Sequence, residues 1–249
     1  MIKIIKTRSF NLAVYVKGDV NAKKVALVLP GKLDTKDYAH MRSHVDFLAR
    51  RGFLAVSFDP PGTWESPGDI TIYTMTNYLK ATNELIDYFN SRPTLVVGHS
   101  RGSSIGLFAA MGNQHVIACV AIMCSLSPGK FTNQRDDEWK IKGYTTEMRD
   151  LPPGGGAKTK RFDLPYSFFE DQRQYDLADG LKKLIKPKLF VLGTQDDMAP
   201  PRAVRGLFEL SAEPKWLYEL ESDHDYRRKP ELIRELNDVI GDFLDRNSI

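Results

Sequence analysis

The sequence predicts an α/β protein with a mostly parallel central sheet and helices on both faces. Short apolar runs alternate with amphipathic stretches along the chain, the pattern of repeated strand–helix units. The runs are continuously apolar, as strands covered on both faces must be. The length of 249 residues, with 42% hydrophobic and 27% charged residues, suits a globular chain, read as one domain over 1–249.

The elements follow in order. Residues 2–17 read as an antiparallel lead-in pair. Buried strands are expected over 25–29, 53–58, 94–97, 116–123, 188–192 and 216–220, each rich in Val, Ile, Leu or Phe. Helices are expected over 37–50 and 73–90, where apolar residues recur at near-helical spacing, and over 101–111, where small apolar residues suit a buried helix. A short helix is expected over 202–210, after two prolines. A final helix presents Leu232, Leu236, Val239, Ile240 and Phe243 on one face, with Pro230 near its start, where proline is tolerated. Residues 125–181 break the alternation. They contain LPPGGGAKTKRFDLPYSFFED, too long for a plain connection and too aromatic for a disordered linker, and are expected to form a cap packed over the sheet.

Composition excludes several function classes. The 35 basic and 32 acidic residues leave a net charge of +3, too even to imply nucleic acid as a partner. The short basic clusters Lys158/Lys160/Arg161 and Arg227/Arg228/Lys229 are expected to be solvated surface. Cys119 and Cys124 read as reduced core thiols, and no Cys or His pattern calls for a metal or a cofactor. The N-terminal stretch MIKIIKTRSF has no long apolar segment, so neither membrane insertion nor a leader is expected and a cytoplasmic location is the simplest reading.

Gly98-His99-Ser100-Arg101-Gly102 follows an apolar strand and precedes a small-residue helix. A serine hydroxyl becomes a useful nucleophile when a sharp strand-to-helix turn exposes it beside a base, and flanking glycines remove Cβ atoms that would clash there. The amides at the start of the helix face developing negative charge. Ser103 and Ser104 are expected to serve packing or backbone bonding.

Five histidines could be the base. His99 sits inside the turn and would project elsewhere. His40 and His44 share a helix face but lack an HExxH pattern, so they read as ordinary helix surface. His115 sits in a loop. His224 stands in a polar turn after the last strand, at the sheet edge where open α/β folds bind ligands. The acid should lie between Ser100 and His224 in the chain. After KLFVLG comes TQDDMAPP, where Asp196 is preferred and Asp197 is the alternative. Each could instead cap the following helix. The strand VALVLPG ends in Pro30-Gly31-Lys32. The backbone N–H groups of Lys32 and Arg101 are the expected oxyanion donors, since Pro30 has no N–H. Trp64, in FDPPGTWESPGD, either lines a pocket or packs beneath the cap.

The ordered segments LPGK, FDPPGTWES, GHSRG, GTQDDMAP and SDH resemble the α/β-hydrolase superfamily over nearly the whole chain. Within it, the sequence is similar to small carboxylesterases, including cinnamoyl/feruloyl esterases, and to serine-aminopeptidase-like hydrolases. That resemblance implies hydrolysis of a small carboxylic ester through an acyl-enzyme, with an amidase, a peptidase or a non-catalytic binding protein as alternatives. Three positions depart from the family pattern: Pro30, where a histidine often precedes the oxyanion glycine; Trp64, where a glycine is expected; and Arg101, where a smaller or apolar residue is frequent.

Overall fold

The computed structural model describes residues 3–124, 134–153 and 157–249. The glycine run at 154–156 and the stretch 125–133, both inside the expected cap, lie outside the described residues.

Among the described residues, ten strands and eight α-helices follow one another. β1 (Lys3–Lys6), β2 (Asn11–Lys17) and β3 (Val25–Leu29) lead to α1 (Ala39–Arg50), β4 (Leu54–Phe58) and α2 (Met75–Tyr88). Next come β5 (Thr94–His99), α3 (Arg101–Gly112) and β6 (Val116–Ile122). The region between β6 and the next sheet strand holds α4 (Gln134–Lys142), β7 (Tyr144–Asp150), β8 (Thr159–Pro165), α5 (Ser167–Gln172) and α6 (Ala178–Leu181). The chain ends with β9 (Lys188–Gly193), α7 (Pro201–Leu210), β10 (Lys215–Leu220) and α8 (Pro230–Arg246).

Eight strands form one sheet in the order β1-β2-β4-β3-β5-β6-β9-β10. The first two pairings are antiparallel and the rest parallel. The lead-in pair and the six further strands therefore stand where the apolar runs put them, with ends moved by a residue or two, but β10, at the sheet edge, is half-buried rather than buried. Every position of β3, β4, β5 and β9 is buried, as a sheet covered by helices on both faces requires. No helix among the described residues is long and apolar enough to cross a membrane.

Two sequence expectations are corrected here. His40 and His44 are not helix surface: with Met41, Val45 and Leu48 they form the buried face of α1. The His44 imidazole is satisfied by partners far away in sequence, whereas His40 makes no hydrogen bond among the described residues and approaches Asp34 at 4.0 Å. His44 Nδ1 lies 2.7 Å from Asn237 Oδ1 on α8, and its Nε2 lies 2.9 Å from the Tyr226 hydroxyl. On α8 the buried stripe runs through Ile233, Leu236, Asn237, Ile240, Phe243 and Leu244, leaving Leu232 and Val239 half-buried at its edges.

The region between β6 and β9 contributes a second, two-stranded antiparallel sheet, β7-β8, that shares no ladder with the main sheet. Sequence periodicity missed these strands because they are half-exposed and mostly polar, with Phe162 and Leu164 turned inward on β8. Phe168 and Phe169 on α5 are buried, and Trp139 stacks on Phe169 at 4.5 Å between ring centroids.

Candidate active site

The polar cluster of interest gathers at the carboxyl ends of β3, β5, β9 and β10, where the strand order departs from chain order and open α/β sheets bind ligands. β5 runs into Ser100, whose backbone has φ 51 and ψ −116, a strained turn for a residue with a Cβ. Interlocked glycines hold that turn. A Cβ on Gly98 would lie 2.2 Å from the Gly102 carbonyl, and one on Gly102 would lie 2.0 Å from the Leu29 carbonyl oxygen. Only glycine lets strand, turn and helix approach this closely. Ser103 Oγ donates to the carbonyls of Gly98 (2.6 Å) and Ile122 (2.8 Å), tying the helix start to two strands as expected.

β9 ends at Gly193, and Asp196 follows three residues later. One carboxylate oxygen of Asp196 accepts the amides of Met198 and Ala199, both at 2.8 Å. Its other oxygen faces His224 Nδ1 at 2.7 Å, and His224 Nε2 lies 2.9 Å from Ser100 Oγ. Asp196 is buried while Asp197 is exposed, and the carboxylate that meets the imidazole is Asp196. Burial raises the Asp196 pKa, but the hydrogen bonds from His224 and the two amides outweigh it and hold the carboxyl below its ordinary value. An ionised carboxylate on Nδ1 keeps that nitrogen protonated, so Nε2 is the basic one. Serine, histidine and aspartate thus stand in line, with an imidazole nitrogen within proton-transfer reach of a hydroxyl.

The loop after β3 turns tightly, with the Asp34 amide bonded to the Gly31 carbonyl and Leu33 at φ 57. The Leu33 amide donates to the Tyr73 hydroxyl at 3.1 Å. No acceptor among the described residues takes the Lys32 or Arg101 amides. The Gly102 contact with Leu29 and Pro30 packs the helix start after Ser100 against the end of β3, Pro30 lying two residues before Lys32. The Lys32 side chain pairs with Glu147 at 2.7 Å. The Arg101 guanidinium is buried, bonded to Gln172 on α5 and 4.1 Å above the Phe168 ring. Trp64 has φ 46, the left-handed backbone that a glycine would adopt without strain. Its indole N–H donates to the Leu33 carbonyl at 2.9 Å, and its ring meets Phe162 edge-on. It also lines a cavity of about 350 Å³ with Thr35, Asp37, Glu65, Leu151 and Lys160. The packing reading of Trp64 therefore holds, whereas the cavity it lines includes neither Ser100 nor His224.

Behind His224 lies a second polar layer that sequence reasoning did not foresee. His99 Nε2 donates to the His224 carbonyl at 3.2 Å, and its Nδ1 faces Asp34 Oδ2 at 3.4 Å. Arg149 forms an ion pair with the other Asp34 oxygen. Burial pulls the His99 imidazole below its ordinary value, with Asp34 opposing. Asp34, His40 and His99 form the one group of metal-ligand type among the described residues. Arg149 already neutralises Asp34, so a divalent cation would add unbalanced charge to a buried site. Arg227, expected at the solvated surface, is buried and grips Asp150 with two hydrogen bonds of 2.9 and 3.0 Å. Sequence offers no signal for this pair, because its partners lie 77 positions apart.

Comparison with known proteins agrees with the architecture. A family model described as the alpha/beta hydrolase fold matches residues 27–147. The chain is 24% identical over 229 residues to the Homo sapiens palmitoyl-protein thioesterase ABHD10, mitochondrial, covering 89% of this chain and 73% of that protein. The structure of alpha/beta hydrolase domain-containing protein 10 from mouse superposes with a TM-score of 0.79 at 22% identity, covering 99% of both chains. Est1E from Butyrivibrio proteoclasticus, solved with ferulic acid bound, superposes with a TM-score of 0.79 at 18% identity over 98% of both chains. Strand order, matched residues and structural neighbours together show that this chain has the α/β-hydrolase fold.

Proposed function

We propose that the protein is a serine hydrolase that cleaves small carboxylic esters through an acyl-enzyme, with Ser100 as nucleophile, His224 as general base and Asp196 as the acid that orients it. The observation that carries this reading is the continuous hydrogen-bonded line from Asp196 through His224 to Ser100, at 2.7 and 2.9 Å. His224 Nε2 takes the hydroxyl proton as Ser100 Oγ attacks the ester carbonyl. The tetrahedral oxyanion is held by the amides of Lys32 and Arg101. The intermediate collapses as His224 returns the proton to the leaving alcohol. Water then attacks the acyl-serine, His224 takes its proton, and the carboxylic acid departs with the proton restored to Ser100. The region between β6 and β9 serves as the cap over this site.

A second reading is supported by the curated relatives, which are named as palmitoyl-protein thioesterases. The same groups would cleave a thioester, with a thiol as the leaving group. The cytoplasmic location expected from the sequence draws no support from those relatives, which are named as mitochondrial.

Ser100→Ala tests the reading. With p-nitrophenyl acetate and butyrate, kcat should fall by three orders of magnitude or more, and labelling by a fluorophosphonate probe should disappear. Turnover retained in the variant overturns the assignment. A panel pairing each oxygen ester with its thioester decides between the two substrate classes.

A further inference from the structure

The region between β6 and β9 is joined to the main sheet by no strand pairing among the described residues, yet it reaches three of the four loops that carry the proposed chemistry. From β7, Glu147 pairs with Lys32 and Arg149 pairs with Asp34, two residues beyond Lys32. These β7 residues alternate along the strand and so share a face. At the end of β7, Asp150 takes a bidentate pair from Arg227, three residues beyond His224, and also accepts the Tyr38 hydroxyl at 3.0 Å. From α5, Gln172 and Phe168 hold Arg101, the residue after Ser100.

The contacts differ in weight. Lys32 and Glu147 are each about one-third exposed, so water screens that pair and it contributes little. The other two are buried on the body side, where the Asp34 side chain is 3% exposed and the Arg227 side chain 3%. Removing a partner from such a pair strands a charge in the interior, which costs far more than an exposed pair is worth. The stranded charge would sit in a sensitive place. Asp34 is linked through His99 to the His224 carbonyl, and Arg227 lies in the 3-10 turn Tyr226–Arg228 that follows His224.

We propose that Arg149 and Asp150 are positioning residues whose ion pairs with Asp34 and Arg227 hold the oxyanion loop and the histidine loop in register, so that the site is assembled only while this region is docked. The proposal rests on the hydrolase reading above. It makes the region more than a wall of the substrate pocket: it organises groups that never touch the substrate through it. Neither residue contacts Ser100, the His224 ring or Asp196 among the interactions described, so their influence runs through the loops.

The test uses the full chain with Arg149→Met, Arg149→Lys and Asp150→Asn, each verified as folded by circular dichroism. The first and third variants should lose at least tenfold in kcat for p-nitrophenyl butyrate with KM changed less than twofold. Fluorophosphonate labelling should slow in step, because the reactive serine itself is less well served. Arg149→Lys, which keeps the charge, should recover part of the loss. If Arg149→Met does not fold, Asp150→Asn, nearly isosteric, carries the test. Unchanged kcat and labelling rates overturn the proposal, and so does a rise in KM alone, which would mark these residues as pocket wall. Wild-type labelling that Ser100→Ala abolishes keeps the hydrolase reading intact whatever these variants do; absent wild-type labelling overturns that reading first.

Discussion

Asp196→Asn separates the acid from its neighbour more sharply than any truncation. One carboxylate oxygen accepts two backbone amides at 2.8 Å, and the other accepts from His224 Nδ1 at 2.7 Å. An asparagine has one acceptor end and one donor end. Its oxygen must meet the two amides, because turning the NH2 toward them leaves two donors unsatisfied, one buried and one part-buried. At about 1–3 kcal/mol each, that flip costs about 2–6 kcal/mol. The NH2 therefore faces Nδ1, which must become an acceptor, and the ring proton moves to Nε2. Nε2 then points a proton at Ser100 and can take none. Reaching the productive tautomer requires the flip, so its cost sets the loss of activity: about 30-fold to 10⁴-fold at 1.36 kcal/mol per decade. The assay is kcat/KM for p-nitrophenyl butyrate at pH 7.5, with Asp197→Asn as the control, since that exposed side chain faces no imidazole. The control should stay within about twofold of wild type. A loss below tenfold in Asp196→Asn, or an equal loss in Asp197→Asn, refutes the reasoning.

Two further predictions concern the scaffold. Gly102→Ala should destabilise by more than about 3 kcal/mol, because its Cβ would press on the backbone oxygen of Leu29 at 2.0 Å. Gly106→Ala, where new contacts begin at 3.5 Å inside the same helix, should instead raise the melting temperature by a few degrees, about 2–4 °C per kcal/mol gained for a chain of this size. Equal melting temperatures for the two variants would show that the glycine interlock is not needed. The buried histidines make stability pH-dependent. Burial lowers the His44 pKa from 6.5 to about 4, and His40 is also depressed by burial. The unfolded chain then binds more protons than the folded one between pH 6.5 and 4, so stability is full above pH 6.5 and drains as pH falls through that window. His44 alone accounts for about 3 kcal/mol at 1.36 kcal/mol per unit. Asp34 does not contribute in this window, because its pKa is pushed below the ordinary 3.8 and its loss begins only at lower pH. Urea melts at pH 7.5, 5.5 and 4.5 should show this slope, and His44→Gln should flatten it. Identical slopes in both proteins would exclude His44 as the source.

The sheet and the nucleophile turn were legible in the sequence because their causes are local. A strand buried on both faces is apolar along most of its length, so β3, β4, β5 and β9 declare themselves in runs such as VALVL and LFVLG. The turn at Ser100 needs glycine two residues on either side, since backbone from adjoining elements fills the space of a Cβ, and that need is written in five consecutive residues. Chain order, together with the carboxyl ends of strands, sufficed to nominate His224 and the Asp196/Asp197 pair. Only the tertiary structure decided between those aspartates, by burying one beside the imidazole and leaving the other in water. It also decided that His40, His44 and Arg227 are interior, that β7 and β8 exist, and that Arg149 meets Asp34 across 115 positions of chain. For His44, Arg227 and the Arg149–Asp34 pair the physical reason is the same. A polar side chain carries no local mark of burial, because what makes its burial tolerable is a partner supplied by a distant segment, and that partner exists only once the chain has folded.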